Sequence, residues 1–192
     1  WRRDKAASPA SPRAHDRAKL PIPPSCMSTR PVHVLFLCTH NSARSILAEA
    51  LLNHIGKGRF QAFSAGSSPR ANQQPNALGL KALQGAGIAI EGLRSKSWDE
   101  FARPDAPHMD LIITVCDNAA GEVCPYWPGQ PATAHWGYAD PSAGDGSDAE
   151  KMVAFEQTLH AMRRRLELLV SLPDDKLAAL SLQGTARALA KD

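Results

Sequence analysis

The segment Cys38-Thr39-His40-Asn41-Ser42-Ala43-Arg44-Ser45 sets a thiol six residues ahead of an arginine, with small and polar residues between them. If a strand leads into this loop and a helix leaves it, the loop amides and the free N–H groups of the first helical turn converge on one anion. A cysteine facing that partial positive charge loses its proton more easily, into a pKa range of roughly 3.5 to 7.5. Arg44 adds a planar, permanently charged fork suited to a tetrahedral oxyanion. Ser45 can donate a hydrogen bond to the thiolate and Asn41 can brace the loop, while Thr39, His40, Ser42 and Ala43 complete the candidate substrate cradle. Cys38 is therefore the candidate nucleophile. Reading it only as a small buried hydrophobe leaves the polar loop and Arg44 unexplained.

Three further cysteines must be placed. Cys26 lies in a segment without apolar periodicity and is expected to be inert. Cys116 follows the apolar run Leu111-Ile112-Ile113-Thr114-Val115, and Cys124 stands eight residues later, ahead of Pro125. Singly, either could be a packing residue; as a pair beside a reactive thiol they suggest redox chemistry. A zinc site is disfavoured, because no second matching pair exists, and no resident metal or cofactor is expected.

The elements that would hold these residues alternate between strand and helix. Val32-His33-Val34-Leu35-Phe36-Leu37 reads as a strand buried on both faces and ending at Cys38. A helix follows, with Ile46, Leu47, Ala50 and Leu51 on one side. Phe60–Ser64 reads as a second strand, closed by Gly66, and another helix is expected from near Pro75 to Gly85–Gly87. Ser97 is a candidate N-cap for a short turn at Trp98–Phe101. Leu111–Val115 is the clearest strand and Ala132–Trp136 a weaker one. Met152, Phe155, Leu159, Met162, Leu166 and Leu169 mark a long amphipathic helix whose Arg163, Arg164 and Arg165 read as its solvated side. The pattern predicts an α/β fold: a single three-layer domain with a four-stranded parallel sheet and helices on both faces. Ligands of such sheets bind beyond the carboxyl ends of the strands, where Cys38 and Cys116 fall.

Charge and composition narrow the function. Residues 1–31 hold seven Lys/Arg against Asp4 and Asp16, so the remaining chain, with 15 basic and 17 acidic residues, is slightly acidic. The basic balance belongs to the leading segment, which removes the argument for nucleic-acid binding. That segment is expected to be a disordered leader, an expression remnant or a misplaced start, with Met27 as the working start. Its Arg content and sparse acids also suit a transit peptide, although helical amphipathicity is lacking. The domain is expected over residues 32–172, with 173–192 as a tail. No run of about 18 apolar residues exists, so no membrane span is expected. Four cysteines are too few for a disulfide-stapled secreted scaffold, and a cytoplasmic location is expected.

The Cys38–Ser45 loop is similar to the signature of low-molecular-weight protein tyrosine phosphatases and of the arsenate reductases that share their fold. Ser64-Ala65-Gly66 and Asp140-Pro141 fit the same superfamily, and the resemblance covers Val32 to Leu172. Many members carry a second cysteine just before the arginine, where this chain has Ala43; the departure excludes a disulfide within the loop. Cys116-Asp117-Asn118-Ala119-Ala120-Gly121-Glu122-Val123-Cys124-Pro125 resembles the cysteine-pair region of thioredoxin-coupled arsenate reductases, whose best-known pair is one residue closer together. His135-Trp136-Gly137-Tyr138-Ala139-Asp140-Pro141 looks like their acid loop, and Ser142-Ala143 follow where the phosphatases commonly have tyrosines.

The resemblance implies that Cys38 attacks arsenic(V), Arg44 binds the oxyanion and Asp140 protonates the leaving oxygen. Cys116 then releases arsenite by forming a disulfide with Cys38, and Cys124 takes over Cys116 to give an outer disulfide for thioredoxin. A small thiol working with a glutaredoxin-like protein is the other candidate reductant, and phosphate would compete with arsenate. Asp140 is preferred as the acid over Asp145 and Asp148, which sit in a Gly/Ser-rich stretch. His40 reads as a wall of the site, and His135 as either ordering the acid loop or packing. A stabilising monovalent cation near Asn41 and Glu49 is conceivable from the resemblance. The alternatives are a phosphatase working through a Cys38 phospho-intermediate, which needs neither Cys116 nor Cys124, and a non-catalytic oxyanion sensor.

Overall fold

The computed structural model describes residues 30–116, 127–129 and 131–179. Four strands, β1 (Val32–Cys38), β2 (Phe60–Gly66), β3 (Leu111–Thr114) and β4 (Ala132–His135), form one sheet in the order β2-β1-β3-β4. All three pairings are parallel. The alternation of strand side chains divides two cores. Val34, Phe36 and Cys38 point to one face with Leu111 and Ile113, while Leu35, Leu37 and Ile112 point to the other.

The first face is covered by α1 (Arg44–Ile55), α2 (Ala77–Gly85) and α3 (Asp148–Val170). The second is covered, among the described residues, by the 3-10 turn Trp98–Glu100 with Phe101, Met109 and Trp127. The three-layer α/β arrangement expected from the alternation of elements therefore stands. The α1 helix does not have a single apolar side: Ser45 through Leu52 are all buried, because it lies between the sheet and the other two helices.

Each helix end has a local cause. Pro75 lies ahead of α2 instead of inside it, and Asn76 is the cap, accepting from the Leu78 and Gly79 amides at 2.9 and 3.3 Å. A Cβ at Gly79 would stand 3.1 Å from the Phe155 ring, so the missing side chain lets α2 lie close on α3. Ser147 and Glu150 close a capping box at the start of α3. At its far end, the Arg59 guanidinium donates to the carbonyl of Val170 at 2.7 Å, an acceptor the helix leaves open, and to that of Leu172, just beyond the cap, at 3.0 Å. Residues 174–179 are helical again and Leu177 is buried in the main core, so the packed part of the chain runs past Leu172. No described helix is long and apolar enough to cross a membrane. The leading segment to residue 29, with Cys26, lies outside the described residues, as does the stretch 117–126.

Candidate active site

The register of the sheet brings the ends of three strands together. Cys38 pairs with Gly66, and Leu37 with Thr114. The loop after β1 thus sits over the carboxyl end of the sheet, with Cys116 immediately beyond β3. The α1 helix starts at Arg44 behind Ala43, which offers no side-chain cap. Its first amides are consequently left for the loop and whatever anion lies in it.

Cys38 is 4% exposed and its Sγ is the focus of local donors. The Asn41 amide donates to it at 3.1 Å, and the Ser45 hydroxyl lies 2.9 Å away. Burial nonetheless pushes the Cys38 thiol up, against the opposing pull of Ser45 and the Asn41 amide, and the neighbouring Cys116 pushes it further. The acidifying hydrogen bonds are there, but the loop is packed deeply enough for desolvation to outweigh them.

Beneath the loop, a buried polar network orients the side chains of Asn41, Ser45 and Ser64. Asn41 is fully buried and left-handed, at φ 52°, a conformation that Asn tolerates better than most residues. Its Oδ1 accepts from the Lys96 backbone amide at 2.8 Å, which leaves Nδ2 to donate to Ser45 and Ser64, both at 2.8 Å. Ser45, receiving from Asn41, is free to give its own proton to Cys38. Ser64 in turn donates to the carboxylate of Glu49. Lys96 Nζ lies 3.5 Å from the same carboxylate, and both side chains are buried. Burial pushes Glu49 up and Lys96 down, while each supports the charged form of the other. Lys96 thus supplies positive charge where the resemblance made a monovalent cation conceivable. Among the described residues no cluster of three His, Cys, Asp or Glu is arranged to hold a metal.

Gly66 explains its place in Ser64-Ala65-Gly66. A Cβ there would meet the Thr39 carbonyl oxygen at 2.7 Å and the Asn41 nitrogen at 3.0 Å, so any side chain would displace the loop. The Ser67 and Ser68 amides hold the loop from that side by donating to the Cys38 and Thr39 carbonyls at 3.0 and 2.8 Å. Ser42 is held through its carbonyl, which accepts from the Asn76 amide at 2.7 Å. His40 is exposed at the mouth.

Arg44 turns toward the acid loop. Nη1 donates to the Tyr138 carbonyl and Nη2 to Asp140 Oδ2, both at 2.9 Å. The other carboxylate oxygen, Oδ1, accepts from the Ser142 amide and hydroxyl at 3.0 and 2.7 Å. Burial alone would raise the Asp140 carboxyl, but Ser142, then Arg44 and His40, bring it below its ordinary value. Asp140 is thus an ionised partner of Arg44 in this arrangement, and must take up a proton before it can act as an acid. Asp145 and Asp148 are exposed, Asp148 in the first turn of α3.

Cys116 is 1% exposed, and its Sγ lies 3.6 Å from the Thr39 hydroxyl, against the loop that carries Cys38. Both cysteines are free thiols. Cys124 lies outside the described residues. His135 Nδ1 meets the Thr114 hydroxyl across the β3–β4 pair at 2.8 Å. Reasoning from sequence missed Ser64, Lys96 and Ser142 as parts of the site. Ser64 and Ser142 stood inside the resembling segments without being given a role; Lys96 carries no local signal, since its partner Glu49 is 47 positions away.

A model of low molecular weight phosphotyrosine protein phosphatases matches residues 33–181. An arsenate reductase of Bacillus licheniformis is 35% identical over 136 residues, covering 70% of this chain and 91% of that protein. An arsenate reductase of Halalkalibacterium halodurans is 34% identical over 134 residues, with the same shares covered. Among solved structures, an arsenate reductase in its phosphate-binding state superposes with a TM-score of 0.58 at 25% identity, over 73% of this chain and 97% of that one. With its Cys38–Arg44 loop over the end of a parallel sheet, the chain belongs to the low molecular weight phosphotyrosine protein phosphatase family.

Proposed function

We propose that this protein reduces arsenate to arsenite through Cys38, with Cys116 and Cys124 as a disulfide relay. The observation that carries the reading is the second free thiol, Cys116, buried against the Cys38 loop within 3.6 Å of Thr39. Phosphate ester hydrolysis has no use for it. The arsenate reductases aligned over nine-tenths of their length support the same assignment.

In this reading, arsenate enters the cradle of Thr39–Ser45 amides and takes up donors of Arg44. The negative charge it brings raises the Asp140 carboxyl, which can then be protonated and act as the acid. Cys38 gives its proton to a basic arsenate oxygen, and the thiolate, held by Ser45 and the Asn41 amide, attacks arsenic. An As–S bond forms, and that oxygen, now a hydroxyl, leaves as water with the proton from Asp140. Cys116 thiolate next attacks Cys38 Sγ. The S–S bond forms as the As–S bond breaks, and its electron pair stays on arsenic, which departs as arsenite. Cys124 thiolate then attacks Cys116 Sγ, freeing Cys38 and leaving a Cys116–Cys124 disulfide. A thioredoxin, or a small thiol with a glutaredoxin-like protein, reduces it by exchange. A cytoplasmic setting supplies such reductants.

The test is arsenate-dependent NADPH oxidation with thioredoxin and thioredoxin reductase, comparing wild type with Cys38→Ser, Cys116→Ser and Cys124→Ser. All three substitutions should abolish turnover, and arsenate-treated wild type should carry a Cys116–Cys124 disulfide by mass mapping. A phosphatase is the second reading, favoured by the Cys38, Arg44 and Asp140 set being complete without another thiol. Hydrolysis of an aryl phosphate that depends on Cys38 and survives Cys116→Ser, with no arsenate turnover under any thiol, would establish it instead.

A further inference from the structure

Tyr138 is the point at which the parts of the site meet. Its carbonyl accepts from Arg44 Nη1 at 2.9 Å, two residues before Asp140. Its amide donates to the carbonyl of Val115 at 3.3 Å, the residue just ahead of Cys116. Its ring is half-buried against the main core and covered by the guanidinium of Arg165, whose Cζ is 4.9 Å from the ring centroid. A guanidinium within about 6 Å of an aromatic face is attracted by the ring quadrupole. Burial pushes the Tyr138 phenol up, and the charge of Arg165 pulls it back.

From this arrangement we propose that Arg165, on α3, is a positioning residue for the oxyanion site. It clamps the Tyr138 ring and so holds the backbone that buttresses Arg44. A guanidinium has five N–H donors, and the acid loop takes two of them, leaving three for a bound oxyanion. Fixing the Tyr138 carbonyl sets the tilt of that planar group, and with it the aim of the remaining donors. Arg165 acts only through Tyr138. It is not the merely solvated residue that its place in Arg163-Arg164-Arg165 suggested. It is exposed on an open groove shared with Tyr138, Arg164 and Leu168, so removing its charge leaves no buried void.

The proposal rests on Arg44 being the oxyanion ligand but not on arsenate being reduced, so its test uses phosphate binding alone. Phosphate affinity is measured by calorimetry, with thermal unfolding alongside, for wild type, Arg165→Met, Arg165→Lys, Tyr138→Leu and the Arg165→Met/Tyr138→Leu double variant. An exposed cation–π contact predicts that Arg165→Met weakens phosphate binding about two- to five-fold, with the unfolding midpoint lowered by no more than about 2–4 °C. Arg165→Lys should restore most of the loss. In the Tyr138→Leu background, Arg165→Met should have no further effect. Wild-type affinity in Arg165→Met, additive losses in the double variant, a lysine variant no better than methionine, or no phosphate binding by wild type would each overturn the proposal. Failure of arsenate turnover alone would refute the reductase reading and leave this test intact.

Discussion

Replacing Lys96 with methionine isolates the buried charge under the Cys38 loop. The Lys96 and Glu49 side chains are 6% and 12% exposed, and the pair is separated by 3.5 Å. Methionine fills much of the lysine stem's volume, so the loss is chiefly that of the charge. Removing one partner of a buried pair typically costs about 3–5 kcal/mol, because the other charge is stranded. Here Glu49 has an escape. Burial already pushes its carboxyl up, and without Lys96 it would rise further and take up a proton. A carboxyl whose folded pKa exceeds its unfolded value of about 4.3 binds more protons in the folded state. Stability of the variant must then fall as pH rises from the unfolded pKa through the folded one, at up to about 1.4 kcal/mol per pH unit. Urea unfolding of Lys96→Met at pH of about 5 and 8 should give a small deficit against wild type at the lower value and the full 3–5 kcal/mol at the higher. Adding Glu49→Gln, which keeps an acceptor for Ser64, should recover most of the deficit at high pH and abolish its pH dependence. A deficit equal at both pH values, or no recovery in the double variant, would refute the argument that Lys96 serves as the counter-charge of Glu49.

Two other substitutions probe the chemistry directly. Ser45→Ala removes the hydroxyl 2.9 Å from Cys38 Sγ. A hydrogen bond to a charged group contributes roughly 1.5–3 kcal/mol, so the pH midpoint for Cys38 alkylation should move up by about one to two units. An unmoved midpoint would show that Ser45 does not hold the thiolate. Asp140→Asn removes the negative partner of Arg44, so phosphate should bind at least as tightly as in wild type. Turnover of arsenate or aryl phosphate should meanwhile fall by about 10²–10⁴, the usual contribution of a general acid. Weaker phosphate binding together with undiminished turnover would remove Asp140 from the acid role.

The sheet and its helices were legible because apolar runs and three-and-four spacings are local. The strand ending at Cys38, the strand before Cys116 and the long α3 helix could each be read from fewer than about 25 consecutive residues. The boundaries were less so. Pro75 drew the start of α2 two residues early, because an Asn76 cap competes with Pro for the first turn. Burial of α1 on all sides was hidden, since its neighbours α2 and α3 come from distant parts of the chain.

Sequence by itself singled out the Cys38–Ser45 loop with its arginine, the candidate nucleophile, the candidate acid and the second thiol, because each stands in a short contiguous motif. Only tertiary structure decided their state. Cys38 is pushed up and not down because helices and sheet close over it, and desolvation depends on everything that packs there. Asp140 is an ionised partner of Arg44 because two loops 96 residues apart meet at 2.9 Å. The left-handed Asn41 is stabilised by Lys96, Ser64 and Gly66, none of which is near it in the chain. Side-chain chemistry is a property of residues, whereas charge state and hydrogen-bond direction are properties of the surroundings that folding assembles.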